Sequence, residues 1–506
     1  MLGRATGIDL YGIDATLIEV EADLGGGLPV ITTVGLPDPA VREGVDRIRS
    51  AIRHAGFVLP QRRVVVNLAP AGMKKQGAAL DLPVAVAILV ADGQIPPPGP
   101  PGTVLAGELA LDGTLRPVRG VISAAMAARD AGRERIIVPA GNAAEAALVG
   151  GVDVHAAASL TEVATLGASG RSCPVHADPR SLLQAADQNH SGPDLSEVKG
   201  QAFARRALEV AAAGGHNLLL IGPPGAGKTM LARRMPGILP RLQPEEALEV
   251  TRVYSAAGLG TSLVTCRPFR APHHGVSPAG MAGGGARPRP GEVSLATHGV
   301  LFLDELPEFR RDALESLRQP LEDRVISITR MSGTAVLPAR FALVAAMNPC
   351  PCGYHGATSR PCECSPTEVR RYRGRVSGPL LDRFDLVVEV PALDLACAGQ
   401  GQAGEGSREV RTRVERARSI QRRRFPGSKG KGTNADMAAS DLELLAPLGK
   451  GAIDLLRQAG SGGRLSARGF CRVLRVARTL ADLAATEEVG RSDLMEALMF
   501  RLGDGP

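Results

Sequence analysis

A multi-domain α/β protein is the fold class that the sequence predicts, and three observations predict it. The 506 residues allow about three domains. Leu218-Leu219-Leu220-Ile221, a short apolar run of the kind that forms a buried parallel strand, breaks into Gly222-Pro223-Pro224-Gly225-Ala226-Gly227-Lys228-Thr229. Downstream, Val300-Leu301-Phe302-Leu303 is a second such run and ends in Asp304 and Glu305. Apolar residues make up 44% of the chain, enough for real cores, so the class rests on packed layers rather than on disulfides.

Bulk composition bounds the function. Net charge is +7, a moderate basic excess that permits nucleic-acid binding without demonstrating it. Aromatics are 3% with no Trp, so a base-stacking platform would have few members. The opening MLGRATGIDLYG has no apolar signal core, and the longest apolar run, Leu82 to Ala91, is too short for a bilayer. A cytoplasmic protein without a membrane partner is expected. Its eight cysteines are then reduced, and a cluster of them suggests metal.

Residues 1–170 read as an α+β domain. Strands are predicted at Thr16–Glu21, Pro29–Val34, Arg63–Leu68, Thr103–Glu108 and Arg135–Val138, with a turn at Asp112-Gly113. Helices are predicted at Ala40–Ala55, Leu82–Ala91 and Val121–Ala131. Residues 171–193 are polar and Pro-containing and read as a linker in which Cys173, His176 and His190 are solvated.

Residues 194–395 form the predicted nucleotide-binding domain. Asp194-Leu195-Ser196-Glu197 resembles a capping box, and helical periodicity follows over Gln201–Ala213. Gly222, Gly227, Lys228 and Thr229 fit G-x-x-x-x-G-K-[ST]. Glycines let the backbone aim N–H groups at phosphate oxygens, and the following helix adds the positive end of its dipole. Lys228 is predicted to reach the β- and γ-phosphates of a nucleoside triphosphate, and the Thr229 hydroxyl to ligate Mg²⁺. Asp304 is expected to hold the Mg²⁺ shell and Glu305 to polarise the attacking water. A third strand, Phe341–Met347, ends at Asn348.

Two Gly/Pro-rich or turn-forming segments separate these motifs. One is residues 271–299, in which His273 and His274 are expected to be loop or substrate contacts. The other is a β-hairpin, Arg324–Ile328 and Thr334–Pro338, turning at Met331-Ser332-Gly333. Arg287, Arg289 and Arg330 are the basic groups here that could meet a DNA backbone. Cys350, Cys352, Cys362 and Cys364 form C-x-C-x9-C-x-C, a set suited to tetrahedral structural Zn²⁺, although the spacing is not the common C-x2-C.

Residues 396–434 read as a Gly-rich linker, a basic helix Arg408–Arg424 and a loop. Solvation and nucleic-acid contact are equally open for that helix. Residues 435–506 carry helical patterns at Leu442–Leu448, Ala452–Ala459, Ala467–Ala485 and Ser492–Arg501, with Ser466 as a cap.

Several stretches resemble known families. Gly107–Val118 and AGRERIIVP at 131–139 are similar to the proteolytic domain of Lon proteases. Where that family places its serine, in Lys75-Gln76-Gly77-Ala78-Ala79, alanine stands, and no lysine follows Arg119-Gly120 across Val121–Ala125. The resemblance therefore implies a Lon-like fold without its dyad and without peptide hydrolysis. GGHNLLLIGPPGAGKT, GVLFLDELPEF, CPCG, GPLLDRFDL and SARGF with RVLRVARTLADL resemble the YifB/ComM family of magnesium-chelatase-like AAA+ ATPases.

This second resemblance implies adenine contacts at Val198, Gly200 and Gln201, and Asn348 as a water-positioning residue. It implies Arg383 as an arginine finger with Arg375 in reserve, and Arg468 as a sensor-2 arginine in a helical lid. The 271–299 insert and the hairpin would face the pore of a homo-hexameric ring. The implied function is ATP-driven DNA translocation or branch migration in natural transformation. The alternative is a protein-remodelling motor like the AAA+ subunit of magnesium chelatase.

Overall fold

The computed structural model describes all residues except 1, 76, 170–172, 189–191, 261, 332, 358–359, 393–403, 426–431, 461–466 and 502–506. Gln76, His190, Ser332, Ser466, and parts of the linkers expected at 171–193 and 396–434, thus lie outside the described residues.

The N-terminal unit is built on a seven-stranded mixed sheet. Its order is Ile31–Val34, Arg63–Ala69, Asp14–Gly25, Leu2–Tyr11, Val104–Leu105, Arg135–Pro139, Asp153–Ala157. The helices Pro39–His54, Asp81–Ala91 and Val121–Asp130 match the predicted ones to within two residues. Asp38 starts the first of them by accepting from the Val41 N–H at 2.9 Å, with Pro39 at the first helical position.

The ten-residue strand Leu2–Tyr11 was not expected, because LGRATGIDLY shows no apolar alternation. Its glycines explain why. A Cβ on Gly3 would lie 2.2 Å from the Ala87 carbonyl oxygen, and one on Gly7 would lie 2.8 Å from Leu80 Cδ2. The missing side chains let the helix Asp81–Ala91, apolar after its first residue, sit directly on the strand.

A second correction concerns residues 171–193. A helix, Pro179–Gln188, lies in the stretch read as linker. The Asp178 carboxylate caps it by accepting from the backbone N–H groups of Arg180 and Ser181 at 3.1 and 3.2 Å. The expected capping box at Asp194 instead caps a single 3-10 turn, Leu195–Glu197, and the long helix begins later, at Ala202.

The second sheet is five-stranded and parallel throughout, in the order Phe269–Arg270, Val300–Leu303, Ala342–Met347, Leu218–Ile221, Leu386–Glu389. Leu218 pairs with both Val344 and Leu386, and Val300 with Ala342. That register brings the ends of three strands, Ile221, Leu303 and Met347, to one edge. In open parallel sheets that edge is where ligands bind.

The C-terminal unit is helical: Ser407–Arg424, Ala439–Leu445, Lys450–Gly460, Ala467–Leu483 and Arg491–Met499. The basic helix Ser407–Arg424 is not simply a solvated face. Val410, Val414, Ala417 and Gln421 are buried, Arg413 pairs with Glu209 at 2.6 Å, and Arg424 pairs with Asp482 at 2.7 Å. Arg478 is buried on an ion pair with Asp482 at 2.9 Å.

The N-terminal unit is docked on the parallel-sheet unit. The Gly12-Ile13 turn carries Ile13 into the same apolar cluster as Leu219, Val253 and Leu337. Ser123 Oγ donates to the Ile13 carbonyl at 2.6 Å, Arg252 Nε approaches the same carbonyl at 3.2 Å, and the Gly120 N–H donates to Ser255 Oγ at 3.0 Å. No helix among the described residues is long and apolar enough to cross a membrane.

Candidate nucleotide site and cysteine cluster

The loop Gly222–Thr229 leaves the strand Leu218–Ile221 and enters the short helix Lys228–Ala232. Gly222 is required by packing, since a Cβ there would lie 2.2 Å from the Val390 carbonyl oxygen. Gly225 and Gly227 hold φ of +77° and +87°, which other residues rarely adopt. Pro223, Pro224 and Ala226 complete the turn, with the Ala226 N–H donating to the Pro223 carbonyl at 3.3 Å. Gln201 Nε2 donates to the Pro391 carbonyl at 2.8 Å and reaches the Ala226 carbonyl at 3.4 Å, tying the segment before the helix to the loop.

Lys228 Nζ donates to the carbonyls of Gly222 and Pro223 at 2.6 and 2.9 Å and to Asn348 Oδ1 at 3.0 Å. Burial pulls the Lys228 ammonium down from the usual lysine range, and the charges of Asp304 and Glu305 oppose that pull. Thr229 Oγ1 donates to Asp304 Oδ2 at 2.7 Å. These two oxygens, one hydroxyl and one carboxylate, are a donor set that suits a hard cation such as Mg²⁺. The Gly225 face of the loop is open, with nothing within 4 Å of a Cβ placed there. The set of residues fits an ATP phosphate chain with its metal.

Glu305 follows Asp304 at φ +54°, a left-handed conformation, and its carboxylate is exposed. Its N–H donates to Asp304 Oδ1 at 3.0 Å, and His274 Nδ1 lies 3.8 Å from its Oε2. The sequence offers His274 only as a loop or substrate contact. It lies against His273, ring centroids 4.0 Å apart and planes tilted by 36°, and stands beside the expected water-polarising carboxylate.

The other predicted residues are distributed as follows. Arg383 forms an ion pair with Glu322, not with the phosphate loop of its own chain. Burial, and then the nearby charges of Arg468, Arg318 and Arg472, hold the Arg383 guanidinium below its ordinary value. Arg383 and the exposed Arg468 therefore belong to one basic cluster, whereas Arg375 is turned to Glu308 at 2.8 Å.

The insert and the hairpin, expected to face the pore of a ring, contact the N-terminal unit. Tyr11 Oη donates to the Gly333 carbonyl at 2.9 Å, and a Cβ on Gly12 would lie 2.9 Å from Ala335 Cβ. Arg287 pairs with Asp38 at 3.1 Å, so its charge is not free for a phosphate backbone. Arg289 is exposed, and Arg330 is exposed while donating to the Gly285 carbonyl at 3.3 Å. Met331 at the hairpin tip is fully exposed.

The four predicted cysteines converge. All four sulfurs lie within 4.8 Å of one another. Cys350 Sγ is 3.3 Å from Cys352 Sγ and 3.7 Å from Cys362 Sγ, and Cys352 to Cys362 is 3.6 Å. A tetrahedral Zn²⁺ with Zn–S bonds of about 2.3 Å sets its sulfurs roughly 3.8 Å apart, close to this arrangement. Backbone N–H groups point at the cluster, from Cys352 to Cys364 Sγ at 3.4 Å and from His355 to Cys350 Sγ at 3.3 Å. Backbone donation at Tyr354 and Glu363 draws the Cys352 thiol down to about 6. At Cys362 and Cys364 backbone donation is outweighed by desolvation and the neighbouring Cys352 and Cys350, which push those thiols up, so one sulfur of the set is favoured as thiolate. The donor set fits zinc. The cluster also touches the nucleotide loop, because a Cβ on Gly353 would lie 2.5 Å from Pro224 Cδ. The C-x-C spacing gave no sign of that contact.

Comparison with known proteins places this arrangement. Residues 194–397 match the model "Magnesium chelatase, subunit ChlI". Residues 20–142 match "Subunit ChlI of Mg-chelatase", and 404–501 match the ChlI C-terminal model. The chain is 43% identical to competence protein ComM of Haemophilus influenzae, over 97% of this chain and 95% of that one. It is 43% identical to YifB of Escherichia coli, over 97% and 96% of the two chains. It is also 26% identical to DNA replication licensing factor mcm5 of Dictyostelium discoideum, over 38% of this chain and 23% of that one. With a parallel-sheet nucleotide fold and near-complete alignment to ComM and YifB, the chain belongs to the YifB/ComM family of magnesium-chelatase-like AAA+ proteins.

Proposed function

We propose that this protein is an ATP-hydrolysing ring motor that translocates DNA or migrates DNA branches. The observation that carries the ATPase part is the meeting of Lys228, Thr229, Asp304 and Asn348 at one sheet edge. Bound there, MgATP supplies the phosphoanhydride whose hydrolysis drives motion. Lys228 exchanges the Gly222 and Pro223 carbonyls for phosphate oxygens. Thr229 and Asp304 hold the Mg²⁺, Glu305 orients and deprotonates the water, and Asn348 fixes the position of that water.

Arg383 and Arg468 share one basic cluster, and Arg383 is paired away from its own loop. This supports a site completed by a neighbouring subunit, with the two arginines stabilising transition-state charge across the interface of a homo-hexamer. Arg468 on the helix Ala467–Leu483 would couple nucleotide state to movement of a helical lid. Zn²⁺ on Cys350, Cys352, Cys362 and Cys364 would be structural, bracing the loop beneath Pro224.

Support for DNA as substrate comes from the similarity to ComM, whose name refers to competence, and to mcm5, a DNA replication factor. Exposed Arg289 and Arg330 beside the hairpin tip are the DNA contacts of this reading. The test is ATP hydrolysis with and without branched, single-stranded and duplex DNA at stated salt, together with migration of a four-way junction. DNA-stimulated hydrolysis supports the reading. Absence of both activities in hexameric protein, with basal hydrolysis still dependent on Lys228, overturns it.

A second reading, a protein-remodelling motor, is favoured by one observation. The N-terminal unit, read as Lon-like without its dyad, covers the insert and neutralises Arg287. A nuclease-resistant pulldown enriched for one protein, without DNA stimulation, would decide for it.

A further inference from the structure

A second cavity lies at the opposite edge of the parallel sheet from the nucleotide loop. Its volume is about 230 Å³. Gly299, Phe341 and Ala342, at the starts of the strands, line it, as does the helix Ser407–Arg424 that crosses beneath them. From Gly299 to Asp304 the chain advances roughly 17 Å at strand rise, so nothing bound in the cavity can be the ATP phosphate chain.

The lining is strongly basic. Arg267, Arg324 and Arg418 are partly buried in it, and Arg241, Arg340 and Arg422 are exposed around it. Two carboxylates line the cavity with these six arginines, and two more lie just outside it, Glu249 acting on Arg340 and Glu415 on Arg267, so positive charge is in excess; both lining carboxylates are already engaged. Glu246 pairs with Arg267 at 2.9 Å and accepts from the Gln243 N–H at 3.0 Å. Asp436 pairs with Arg324 at 3.1 Å and accepts from the N–H groups of Gly432 and Thr433 at 3.2 Å.

Arg418 is the telling residue. Its Nε and Nη2 both donate to one carbonyl, that of Ala212, at 3.1 and 2.8 Å. Burial, and then the neighbouring Arg267, push its guanidinium down to about 10. Asp436 and Glu246 oppose that push only in part, so a partly buried guanidinium set among other guanidinium groups gains from a further counter-charge. Guanidinium forks match the oxygens of tetrahedral oxyanions in geometry as well as in sign.

We propose that this cavity binds a small multivalent oxyanion of the phosphate class, which bridges the helix Ser407–Arg424 to the base of the parallel sheet. The volume lies below the ~300 Å³ at which sites for nucleotide-sized ligands begin, so the ligand is free oxyanion, not a nucleotide. The bridge ties the C-terminal helices to the core at a point remote from the nucleotide.

The test uses full-length Lys228→Ala protein, in which the nucleotide loop has lost its phosphate-binding charge. Inorganic phosphate is compared with chloride at matched ionic strength by thermal melting, and binding of labelled phosphate is measured by equilibrium dialysis. Phosphate is expected to raise Tm by several degrees above chloride and to bind at about one per chain. Adding Arg422→Gln or Arg340→Gln, both exposed positions, is expected to weaken binding at least tenfold while leaving Tm in chloride unchanged. Equal melting in phosphate and chloride, no retained phosphate, or undiminished binding in both arginine variants overturns the proposal.

Discussion

Gly353 lies against Pro224 so closely that a single added methyl group would come within 2.5 Å of the proline ring. The cysteine cluster and the nucleotide loop are thus one mechanical unit, with Cys350 and Cys352 directly before that glycine. Cys352→Ser, or treatment with a strong chelator, is expected to remove about one zinc per chain and to lower ATP turnover severalfold. Metal analysis alongside a steady-state ATPase assay checks this. Unchanged turnover in zinc-free protein would separate the two sites.

Lys228 and Glu305 should fail differently. Lys228→Ala removes the charge that holds the phosphates and is expected to weaken ATP binding strongly. Glu305→Gln keeps the site's shape and is expected to leave binding within a few fold while slowing hydrolysis by about 10²-fold or more. Nucleotide affinity and single-turnover hydrolysis, measured on both variants, distinguish the roles.

Tyr11 and Asp38 hold the hairpin and the insert to the N-terminal unit. Tyr11→Phe removes the hydroxyl that binds the Gly333 carbonyl, and Asp38→Asn releases the Arg287 charge. The double variant is expected to change the DNA-stimulated component of ATP hydrolysis at least twofold and to leave the basal rate intact. Equal changes in both rates would show a general loss of stability instead.

Asp194 makes acid stability measurable. Burial pushes its carboxyl up, but hydrogen bonds from Ser196 and Ser407 outweigh this and hold it at about 2, against 3.8 in the unfolded chain. A depressed carboxyl stabilises the fold above the unfolded value, and the stabilisation is lost as pH falls from about 4 to about 2. Asp194→Asn is expected to cost on the order of 1–2 kcal/mol at pH 7, allowing for solvent screening, and less at pH 3. Urea unfolding at the two pH values checks the sign.

The nucleotide site could be read from the sequence because its parts are local. A glycine loop needs one strand and one helix, and the Asp304 strand needs only four apolar residues and a pair of acids. What could not be read depends on contacts between distant segments. The glycines of Leu2–Tyr11 look like breakers until the helix Asp81–Ala91 is placed on them. Arg287 looks like a free basic group until Asp38, 249 residues away, meets it. The basic run Arg408–Arg424 looks solvated because its partners Glu209 and Asp482 come from other helices. His274 could have been noticed as a titratable residue in the insert, but nothing in the linear chain places it at Glu305.

Ile13 ends a two-residue turn and is buried among side chains of the parallel-sheet unit, including Leu219 on the strand that feeds the phosphate loop. The two units therefore share part of a hydrophobic core and are not joined by chain connectivity alone. Trimming the N-terminal 170 residues would open a hole in what remains and leave the Arg252 guanidinium without Asp14. Unfolding is therefore expected to be coupled between the two units, and exchanging either one to require repacking of the other around Ile13.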